Sequence, residues 1–373
     1  METRTALHEI REQRGVSAAE LAKLTGVSRQ TIYAIEAGDY VPNTALALHL
    51  AKILEVGVED LFQLEAEPPP PPAPIRVDLL GDGHPASKGQ PVQLCRVGKR
   101  MMGVAASAQP LMLPMADGVV AESDERSHQA RVRIFPGEIE ESKRLLVAGC
   151  DPGMSLLAQH LARYHDVDLV VAPSSSQQAL EWLKQGKVHV AGSHLRDAPG
   201  GEYNVPVVRR LFGRGAVKVV TFAIWEQGLV VAGTNQKQIR GVEDLARKDV
   251  RIVNREKGAG SRALLDSKLK EVGIAPGKVA GYDRIAYGHL PAALAVSLGE
   301  ADCCIATRSA ARAFGLGFLP LATERYDLVV RRQFLRMPAV QALLDLLQRT
   351  AIRRKLELLA GYDTSHTGEV LVA

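Results

Sequence analysis

Apolar residues in the first 66 positions recur every three or four residues, the spacing of helices that bury one face. Ser17 and Ser28 each precede such a stretch, where a serine accepts a hydrogen bond from the first helical turn. Glu20 completes the capping-box spacing that begins at Ser17, and Gly26 permits a tight turn between two stretches. The pattern predicts five helices: Leu7–Arg14, Ala18–Leu24, Arg29–Ala37, one opened by Pro42 and Asn43, and Val58–Phe62.

From Leu145 the pattern changes to short apolar runs that alternate with amphipathic segments, as in parallel sheets covered by helices on both faces. Two sets of this kind are separated by Ala216–Ala232, where two long apolar runs suit a crossover between lobes. A final amphipathic helix is predicted over Val340–Leu359. Residues 141–373 are therefore expected to form a two-lobed α/β domain, with strands at Leu145–Gly149, Asp168–Ala172, Lys187–Gly192, Arg251–Asn254 and Cys303–Thr307.

The region between these two patterns begins with six prolines in the seven residues Pro68–Pro74, which favour an extended, semi-rigid spacer. After it, short β-like runs such as Val92–Val97 alternate with turn residues. The expected organisation is multidomain. It comprises an all-α five-helix domain at 1–66, a proline-rich linker at 67–74, a small β-rich module at 75–140 and the two-lobed α/β domain at 141–373.

The composition, with 46% hydrophobic and 24% charged residues, is that of a globular protein. No apolar run nears the roughly 20 residues that cross a bilayer, and the polar start Met1–Thr5 is unlike a secretory signal. We therefore expect a cytoplasmic protein with no membrane partner. Four cysteines lie far apart, except for Cys303 and Cys304, and none has metal-ligand spacing. No metal site and no catalytic residue are predicted.

The charge of the chain is unevenly distributed. The formal net charge is +4, but the first 66 residues carry six Lys/Arg against ten Asp/Glu, so the remaining residues carry +8. Overall charge therefore gives the N-terminal domain no attraction for nucleic acid. Any such attraction must come from where its basic and polar side chains are placed.

The segment SAAELAKLTGVSRQTIYAIEAGDYVPNTALALHLAKILEVGVEDLF, which begins at Ser17, resembles the Cro/phage-repressor (xenobiotic-response-element) helix-turn-helix family. The resemblance implies double-stranded DNA as a partner. It also implies that polar side chains at the start of the third helix meet the major groove, where Gln can pair with adenine and Arg, Ser or Thr with bases or phosphates. Glu36 is expected to support the fold. The candidate DNA contacts are Ser28, Arg29, Gln30, Thr31 and Tyr33.

Four loops of the α/β domain follow predicted strands, at the edge where open α/β sheets place their ligands. They are Cys150–Ser155, Ser174–Ser176, Gly192–His194 and Gly258–Arg262. Glycines let backbone N–H groups converge on a ligand, and helix N-termini favour negative charge. The loops therefore predict a site for a small anion.

The segments GCDPGMSLLAQHL, APSSSQQALEWLKQGKVHVAGSHL and EKGAGSRALLD, with the chain from Gly288 onward, resemble the periplasmic-binding-protein-like domain of cytoplasmic regulators. That family commonly follows a helix-turn-helix and is linked to molybdate or molybdenum-cofactor metabolism. The resemblance implies a sensed oxyanion, molybdate or tungstate, and no other cofactor. The candidate ligand contacts are Asp151, Ser155, Ser174, Ser175, Ser193, His194, Gly260, Ser261, Arg262, His289 and Thr307.

Together the two resemblances imply a ligand-responsive transcription regulator. Cleft closure about Ala216–Ala232 would change how a homodimer, or higher homo-oligomer, presents paired recognition helices to two half-sites.

Several alternatives remain open at this level. The N-terminal helices also suit a bundle for protein contacts, and the cleft also suits a small organic anion or a molybdenum-cofactor-related metabolite. An enzyme acting on a small molecule in the cleft is the alternative of another class, although Gly258–Arg262 lacks the P-loop ending. Individual candidates have structural alternatives: Asp151 as a helix cap, His194 and His289 as core residues, and Arg262 as an ion-pair partner of Asp266.

Overall fold

The computed structural model describes residues 3–64, 73–81, 86–106, 114–124, 128–136, 141–196 and 202–371. The chain divides into two compact units, Met1–Pro72 and Ala73–Ala373, and each is described separately. Most of the linker expected at 67–74 lies outside the described residues. Within the described ranges no helix is both long enough and apolar enough to cross a membrane.

The first unit contains five helices within residues 3–64, as the apolar spacing predicts. Ser17, Ser28 and Asn43 cap three of them by accepting hydrogen bonds from backbone N–H groups of Glu20, Thr31 and Leu46. A short antiparallel strand pair, which was not predicted, joins the two ends of the unit. Phe62 begins the second of these strands and is not, as had been predicted, part of the last helix. The elements are β1 (Thr3–Thr5), α1 (Leu7–Gln13), α2 (Ala18–Thr25), α3 (Arg29–Glu36), α4 (Thr44–Leu54), α5 (Val58–Leu61) and β2 (Phe62–Leu64).

The helices of the first unit share one apolar core. It includes Leu7, Leu21, Ile32, Leu50 and Leu61, all without solvent exposure. Gly26 adopts φ 74° between α2 and α3, a left-handed conformation that suits glycine and allows the tight turn. The unit is therefore a helix-turn-helix fold held by apolar packing.

The second unit begins with a five-stranded closed barrel among residues 75–134 that the structure describes. Around the barrel the strand order is β3-β5-β4-β6-β7, with β3 and β5 parallel and the other pairs antiparallel. It corresponds to the predicted β-rich module. The strands are β3 (Ile75–Leu80), β4 (Pro91–Val97), β5 (Arg100–Ala105), β6 (Gly118–Asp124) and β7 (Gln129–Ile134).

The rest of the second unit is a two-lobed α/β domain built on one sheet, as expected from the alternating pattern. The first lobe contains parallel β8, β9 and β10, and the second contains parallel β12, β13 and β14. The first-lobe elements are β8 (Arg144–Gly149), α6 (Met154–His165), β9 (Asp168–Pro173), α7 (Ser176–Lys184), β10 (Val190–Ser193) and α8 (Val205–Phe212).

The chain then passes through a long strand into the second lobe and returns through another. These elements are β11 (Val217–Val231), β12 (Ile252–Arg255), α9 (Gly260–Glu271), β13 (Ile285–Ala286), α10 (His289–Ser297), β14 (Cys303–Thr307), α11 (Arg308–Ala313) and β15 (Gly317–Arg331). After them come α12 (Pro338–Gln348), α13 (Thr350–Lys355) and β16 (Val370–Leu371). The single helix predicted over Val340–Leu359 is therefore wrong: two helices are separated at Arg349, whose backbone is extended at ψ 127°.

The two long strands, β11 and β15, pair with each other along their whole length and connect the lobes. Near one end of the pair, β15 also pairs with β10 of the first lobe, and near the other end β11 pairs with β14 of the second lobe. Their register shifts between Thr221 and Ala223 and again between Gln227 and Gly228. Such irregularities bend a strand locally, and both lie in the strands that connect the lobes.

The barrel packs against the first lobe. Cys95, Val97 and Met102 of the barrel belong to the same buried cluster as Leu145 and Leu169 of the lobe. Arg144 at the start of β8 donates two hydrogen bonds to the Asp117 carboxylate, at 2.5 and 2.8 Å. The shared core and this ion pair attach the barrel to the lobe.

Candidate functional site

The start of α3 presents a polar surface on the first unit. Ser28, Arg29 and Gln30 are exposed, Tyr33 is 45% exposed and Thr31 is half-buried. Ser28 uses its hydroxyl to cap the helix, and its Oγ lies 2.8 Å from the Thr31 hydroxyl. The structure therefore places all five predicted DNA contacts on the first two turns of α3, and these contacts remain a prediction.

Two contacts order this surface. Arg29 donates two hydrogen bonds to the Tyr33 hydroxyl, at 3.0 and 2.7 Å, and stacks 5.2 Å from the Tyr33 ring. Behind the helix, Glu36 accepts a 2.6 Å hydrogen bond from Arg11 with both side chains 7% exposed. Glu36 thus supports the fold.

In the second unit, loops after the parallel strands of the two lobes meet. A side chain on Gly260 would place its Cβ 2.3 Å from Cε1 of His194, which lies in the opposite lobe. A Cβ on Gly258 would lie 3.0 Å from the Gln177 side chain, and Gly258 also has φ +86°. Glycine is therefore required where the lobes approach each other, and Gly260 serves close packing on His194.

A thiol and two imidazoles come together in this cleft. The Cys150 sulfur lies 3.6 Å from Nε2 of His194 and 3.7 Å from Nε2 of His289. Cys150 follows β8 and His194 follows β10 in the first lobe, whereas His289 begins α10 in the second. We call these three residues the Cys-His-His cluster.

His194 is held by two side chains from the bridging strands. Its Nδ1 lies 2.7 Å from Oε2 of Glu324, and Gln227 donates to the same carboxylate. Burial alone would lower the pKa of His194, but hydrogen bonds to Cys150 and Glu324 raise it to about 10. When no other cation is bound, His194 and Glu324 therefore form a buried ion pair.

A second cation in the cleft is Arg255, at the end of β12, which is 1% exposed. Its Nε and Nη2 each donate a 2.9 Å hydrogen bond to Glu256, and Nη1 is buried without a hydrogen-bond partner. Burial lowers the pKa of the guanidinium, but Glu256 and Cys150 more than offset this and raise it. Burial, followed by the charge of Arg255, holds the pKa of His289 well below its usual value, so His289 is neutral.

Aromatic rings form one wall of the cleft. Trp225 packs its ring edge-on against both imidazoles, with centroids 5.2 Å from His194 and 5.4 Å from His289. The Tyr326 hydroxyl accepts a hydrogen bond from the backbone N–H of Cys150 and lies where a Cβ on Gly192 would be, at 1.9 Å. The wall therefore packs the cluster against the two strands that connect the lobes.

Three serine hydroxyls from both lobes are buried in these loops without a hydrogen-bond partner: Ser174, Ser193 and Ser261. Ser175 instead caps α7, and Thr307 caps α11 and contacts the Ser309 hydroxyl at 2.8 Å. Buried polar groups are normally paired, so the unpaired hydroxyls are candidates for ligand contacts.

Each of the other three candidates has a partner within the protein. Asp151 is 5% exposed and accepts hydrogen bonds from the Gly153 N–H and the Tyr362 hydroxyl, while burial raises its pKa to about 7. Ser155 is exposed and donates to the Pro152 carbonyl. Arg262 lies 4.0 Å above the Tyr282 ring and 3.5 Å from Asp266, the ion-pair alternative recognised in the sequence.

Comparison with known proteins identifies both parts of the chain. A family model described as a PBP superfamily domain matches residues 158–348, slightly more than half of the chain. A helix-turn-helix model matches residues 7–61. The chain belongs to the PBP superfamily. It combines an N-terminal helix-turn-helix with a PBP-like ligand-binding domain.

Named relatives match both parts. The uncharacterized protein YvgK of Bacillus subtilis is 32% identical over 266 residues, which cover 68% of this chain and 86% of YvgK. The uncharacterized HTH-type transcriptional regulator YgzD of Bacillus subtilis is 48% identical over 59 residues, 16% of this chain and 89% of YgzD. Among solved structures, the sulfate-binding protein SubI of Mycobacterium tuberculosis is 17% identical over 59% of this chain and 86% of SubI, with a TM-score of 0.44.

Sequence reasoning missed several residues of the PBP-like cleft. Cys150 and Glu324 contact His194, and the Arg255 guanidinium lies beside Cys150, yet no sequence motif marks these three residues. Cys150 lies inside a predicted loop and Arg255 ends a predicted strand, so their position at sheet ends was the available signal. Glu324 and Trp225 lie within long strands, where sequence gave no such signal.

Proposed function

We propose that the protein is a DNA-binding transcription regulator whose PBP-like domain senses a small oxyanion, with molybdate and tungstate as the first candidates. The observation that carries this proposal is the set of unpaired, buried donors at sheet ends of both lobes: hydroxyls of Ser174, Ser193 and Ser261, and Nη1 of Arg255. Hydroxyls and N–H groups replace the hydration of a tetrahedral oxyanion without a full counter-charge. Arg255 takes the charged role that the sequence suggested for Arg262.

The proposed mechanism is closure of the two lobes on the ligand. Donors on both lobes give the closed form a higher affinity than the open form, and this difference alone shifts the equilibrium. The register shifts in β11 and β15 support a hinge beside the cleft. In a homodimer, closure would change how paired α3 helices meet two DNA half-sites.

Titration calorimetry of the whole chain against molybdate, tungstate, sulfate and phosphate tests the sensing proposal. We expect saturable heat from molybdate and tungstate, and a change in affinity for an operator fragment when either is saturating. If only a small organic anion gave saturable heat, the sensed ligand would be an organic anion and not an inorganic oxyanion. Operator affinity that is unchanged by a bound ligand would contradict the regulatory mechanism.

The double variant Ser193→Ala, Ser261→Ala removes one unpaired hydroxyl from each lobe. Losing two hydrogen bonds to a charged ligand should weaken oxyanion binding by at least about 100-fold, from about 1.5 kcal/mol or more per bond. Ser155→Ala is the matched control, because Ser155 is exposed and bonded to Pro152. Equal oxyanion affinity in the double variant and in the control would show that the oxyanion does not bind to these hydroxyls.

We propose binding without turnover. Recovery of chemically unchanged ligand after prolonged incubation with the protein is the expected result. Conversion of a small molecule that depends on the cleft would instead favour the enzyme alternative.

A further inference from the structure

We propose that the Cys-His-His cluster is a binding site for a thiophilic or borderline transition-metal ion, of which zinc(II) and copper(I) are the representatives. Among the described residues, the cluster is a group of metal-binding side chains whose ligand atoms all lie within 4.8 Å of one another. It joins Cys150 and His194 of the first lobe to His289 of the second. The proposal rests on this geometry and stands independently of the oxyanion.

The distances fit one shared ion. A thiolate bonded at about 2.3 Å and an imidazole bonded at about 2.0–2.1 Å lie roughly 3.5 Å apart around a tetrahedral metal. The two sulfur–nitrogen distances are 3.6 and 3.7 Å, from Cys150 to Nε2 of His194 and to Nε2 of His289. All three ligand atoms lie within 4.8 Å of one another, so side-chain adjustments that bring the two imidazoles together complete that coordination geometry.

The ligand types indicate the class of metal. A thiolate favours copper(I) and zinc(II), imidazole suits both ions, and magnesium and calcium prefer oxygen ligands. Three protein ligands leave a fourth zinc position open. An open position in a cleft is suited to water or an anion.

The outer contacts of His194 are those of a metal-bound histidine. A ligating imidazole usually bonds through its second ring nitrogen to a carboxylate, which orients the ring and makes the ligand more basic. Nδ1 of His194 faces Glu324 at 2.7 Å, which leaves Nε2 directed at Cys150. Gln227 donates to Glu324 and holds that carboxylate in place.

The surrounding charges suit a cation. With the thiol ionised and both imidazoles neutral, the groups around the cluster are the Cys150 thiolate, the Glu324 and Glu256 carboxylates and the Arg255 guanidinium. In that state their net charge is two negative charges. A divalent ion that displaces the protons of Cys150 and His194 therefore leaves no net charge buried among these groups.

Its place in the fold gives the metal a structural consequence. Because its ligands come from both lobes and contact Trp225 of the bridging strand β11, a bound ion links the lobes beside the hinge. If the cleft senses an oxyanion as proposed above, the open metal position is a place where that anion binds. Metal binding would then precede or strengthen anion binding.

The experiment uses the whole chain, reduced and freed of metal with a chelator. Zinc(II) is titrated by calorimetry, copper(I) by competition with a chromophoric chelator, and cobalt(II) by absorbance. We expect one ion per chain and a thiolate-to-cobalt charge-transfer band in the near ultraviolet. Absence of binding by all three ions, or a cobalt spectrum without the thiolate band, would overturn the proposal.

Variants separate the cluster from adventitious thiols. Cys150→Ala and His289→Gln should weaken zinc affinity by more than about 100-fold, and Glu324→Gln by about 10–100-fold, as expected for an outer partner. Cys304→Ala is the control, because Cys304 is a free and buried cysteine of β14 outside the cluster. Equal zinc affinity in Cys150→Ala, His289→Gln and Cys304→Ala would overturn the proposal.

Two further measurements keep the outcomes distinct. Zinc should raise the melting temperature of the second unit in wild type and in Cys304→Ala, and not in Cys150→Ala, because a ligand stabilises the state that binds it. If Cys150→Ala fails to fold, the wild-type cobalt spectrum and His289→Gln decide. Oxyanion titration in excess chelator tests the proposed function separately. If the oxyanion binds under those conditions and none of the three metal ions binds in the metal titrations, the metal site is overturned and the proposed function stands.

Discussion

The two candidate sites of this chain are built in opposite ways. The surface at the start of α3 consists of close neighbours in sequence, of which Ser28, Arg29, Gln30 and Tyr33 are exposed and Thr31 is half-buried. The cleft consists of residues such as the half-buried Cys150 and the buried His194 and His289, which are far apart in sequence and contact one another. A local, exposed site can be recognised in the sequence, whereas a non-local, buried site requires the fold.

The contrast also concerns how each site is supported. The α3 surface depends on one ion pair behind it, between Arg11 and Glu36. The cleft depends on many mutual contacts, including Glu324, Gln227 and Trp225 around His194. A single substitution should therefore disturb the first site through stability and the second through ligand chemistry.

The largest expected effect is that of Arg11→Met. The nearly buried Glu36 carboxylate would lose its arginine partner and keep only the exposed His8 as a nearby basic side chain. Removing one partner of such a pair typically costs about 3 kcal/mol. We expect a loss of that size in the free energy of unfolding of the first unit, measured by urea denaturation of residues 1–64. Arg14→Met, at an exposed arginine of the same region, is the control and should cost little.

If the two arginine variants have equal stability, the α3 surface is not held by this pair, and the contrast with the heavily supported cleft weakens.

The second prediction concerns a buried histidine of the first lobe outside the cluster. Burial lowers the pKa of His189 to about 4, and the Leu146 N–H donates to its Nδ1. The unfolded chain takes up a proton near pH 6.5 and the folded chain does not, so the stability present above pH 6.5 is lost as the pH falls towards 4. Between pH 7 and pH 5 the loss should be about 2 kcal/mol, at 1.36 kcal/mol per pKa unit.

The measurement is chemical denaturation of the second unit at several pH values, for wild type and for His189→Gln. The variant should lack this part of the pH dependence. An unchanged pH slope in His189→Gln would mean that the fold does not keep His189 neutral. Burial alone would then not explain why the pKa of His189 differs from that of His194.

Much of the fold was predictable because its signals are local. Apolar spacing gave the five helices of the first unit, and serines at Ser17 and Ser28 marked two helix starts. The parallel strands stood out as short apolar runs, and Cys303–Thr307 is a strand over the predicted residues. The strand pair β1–β2 and the break at Arg349 were missed because pairing and packing between distant residues decide them.

The cleft was predictable only in outline. The rule that ligands lie at the carboxyl ends of parallel strands pointed to loops that the structure brings together at the cleft, including those of Ser193 and Ser261, and their ligand contacts remain a prediction. It did not distinguish Arg262, which contacts Tyr282 and Asp266, from Arg255, whose guanidinium is buried beside Cys150. Which of two nearby arginines enters a cleft depends on the start of α9, which the sequence pattern does not resolve to one residue.

The smallest expected effect is that of Gln30→Ala on DNA binding. Gln30 is exposed at the second position of α3, so its removal costs contacts with a base edge and no packing. Losing such a contact typically costs about 1–3 kcal/mol and relaxes specificity at one base position, whereas losing a phosphate contact weakens binding to all sequences alike. Gel-shift titrations against an operator selected from random DNA, at fixed salt, should show about 10-fold weaker binding and one relaxed position.

Gln13→Ala is the matched control, an exposed glutamine of the same unit at the end of α1. It should leave operator affinity unchanged, and both variants should keep the wild-type affinity of the PBP-like domain for its ligand. Equal affinities of Gln30→Ala and Gln13→Ala for every base at every position would remove base readout from α3. The α3 surface would then contact only the sugar-phosphate backbone of the DNA, and sequence specificity would have to come from elsewhere in the first unit.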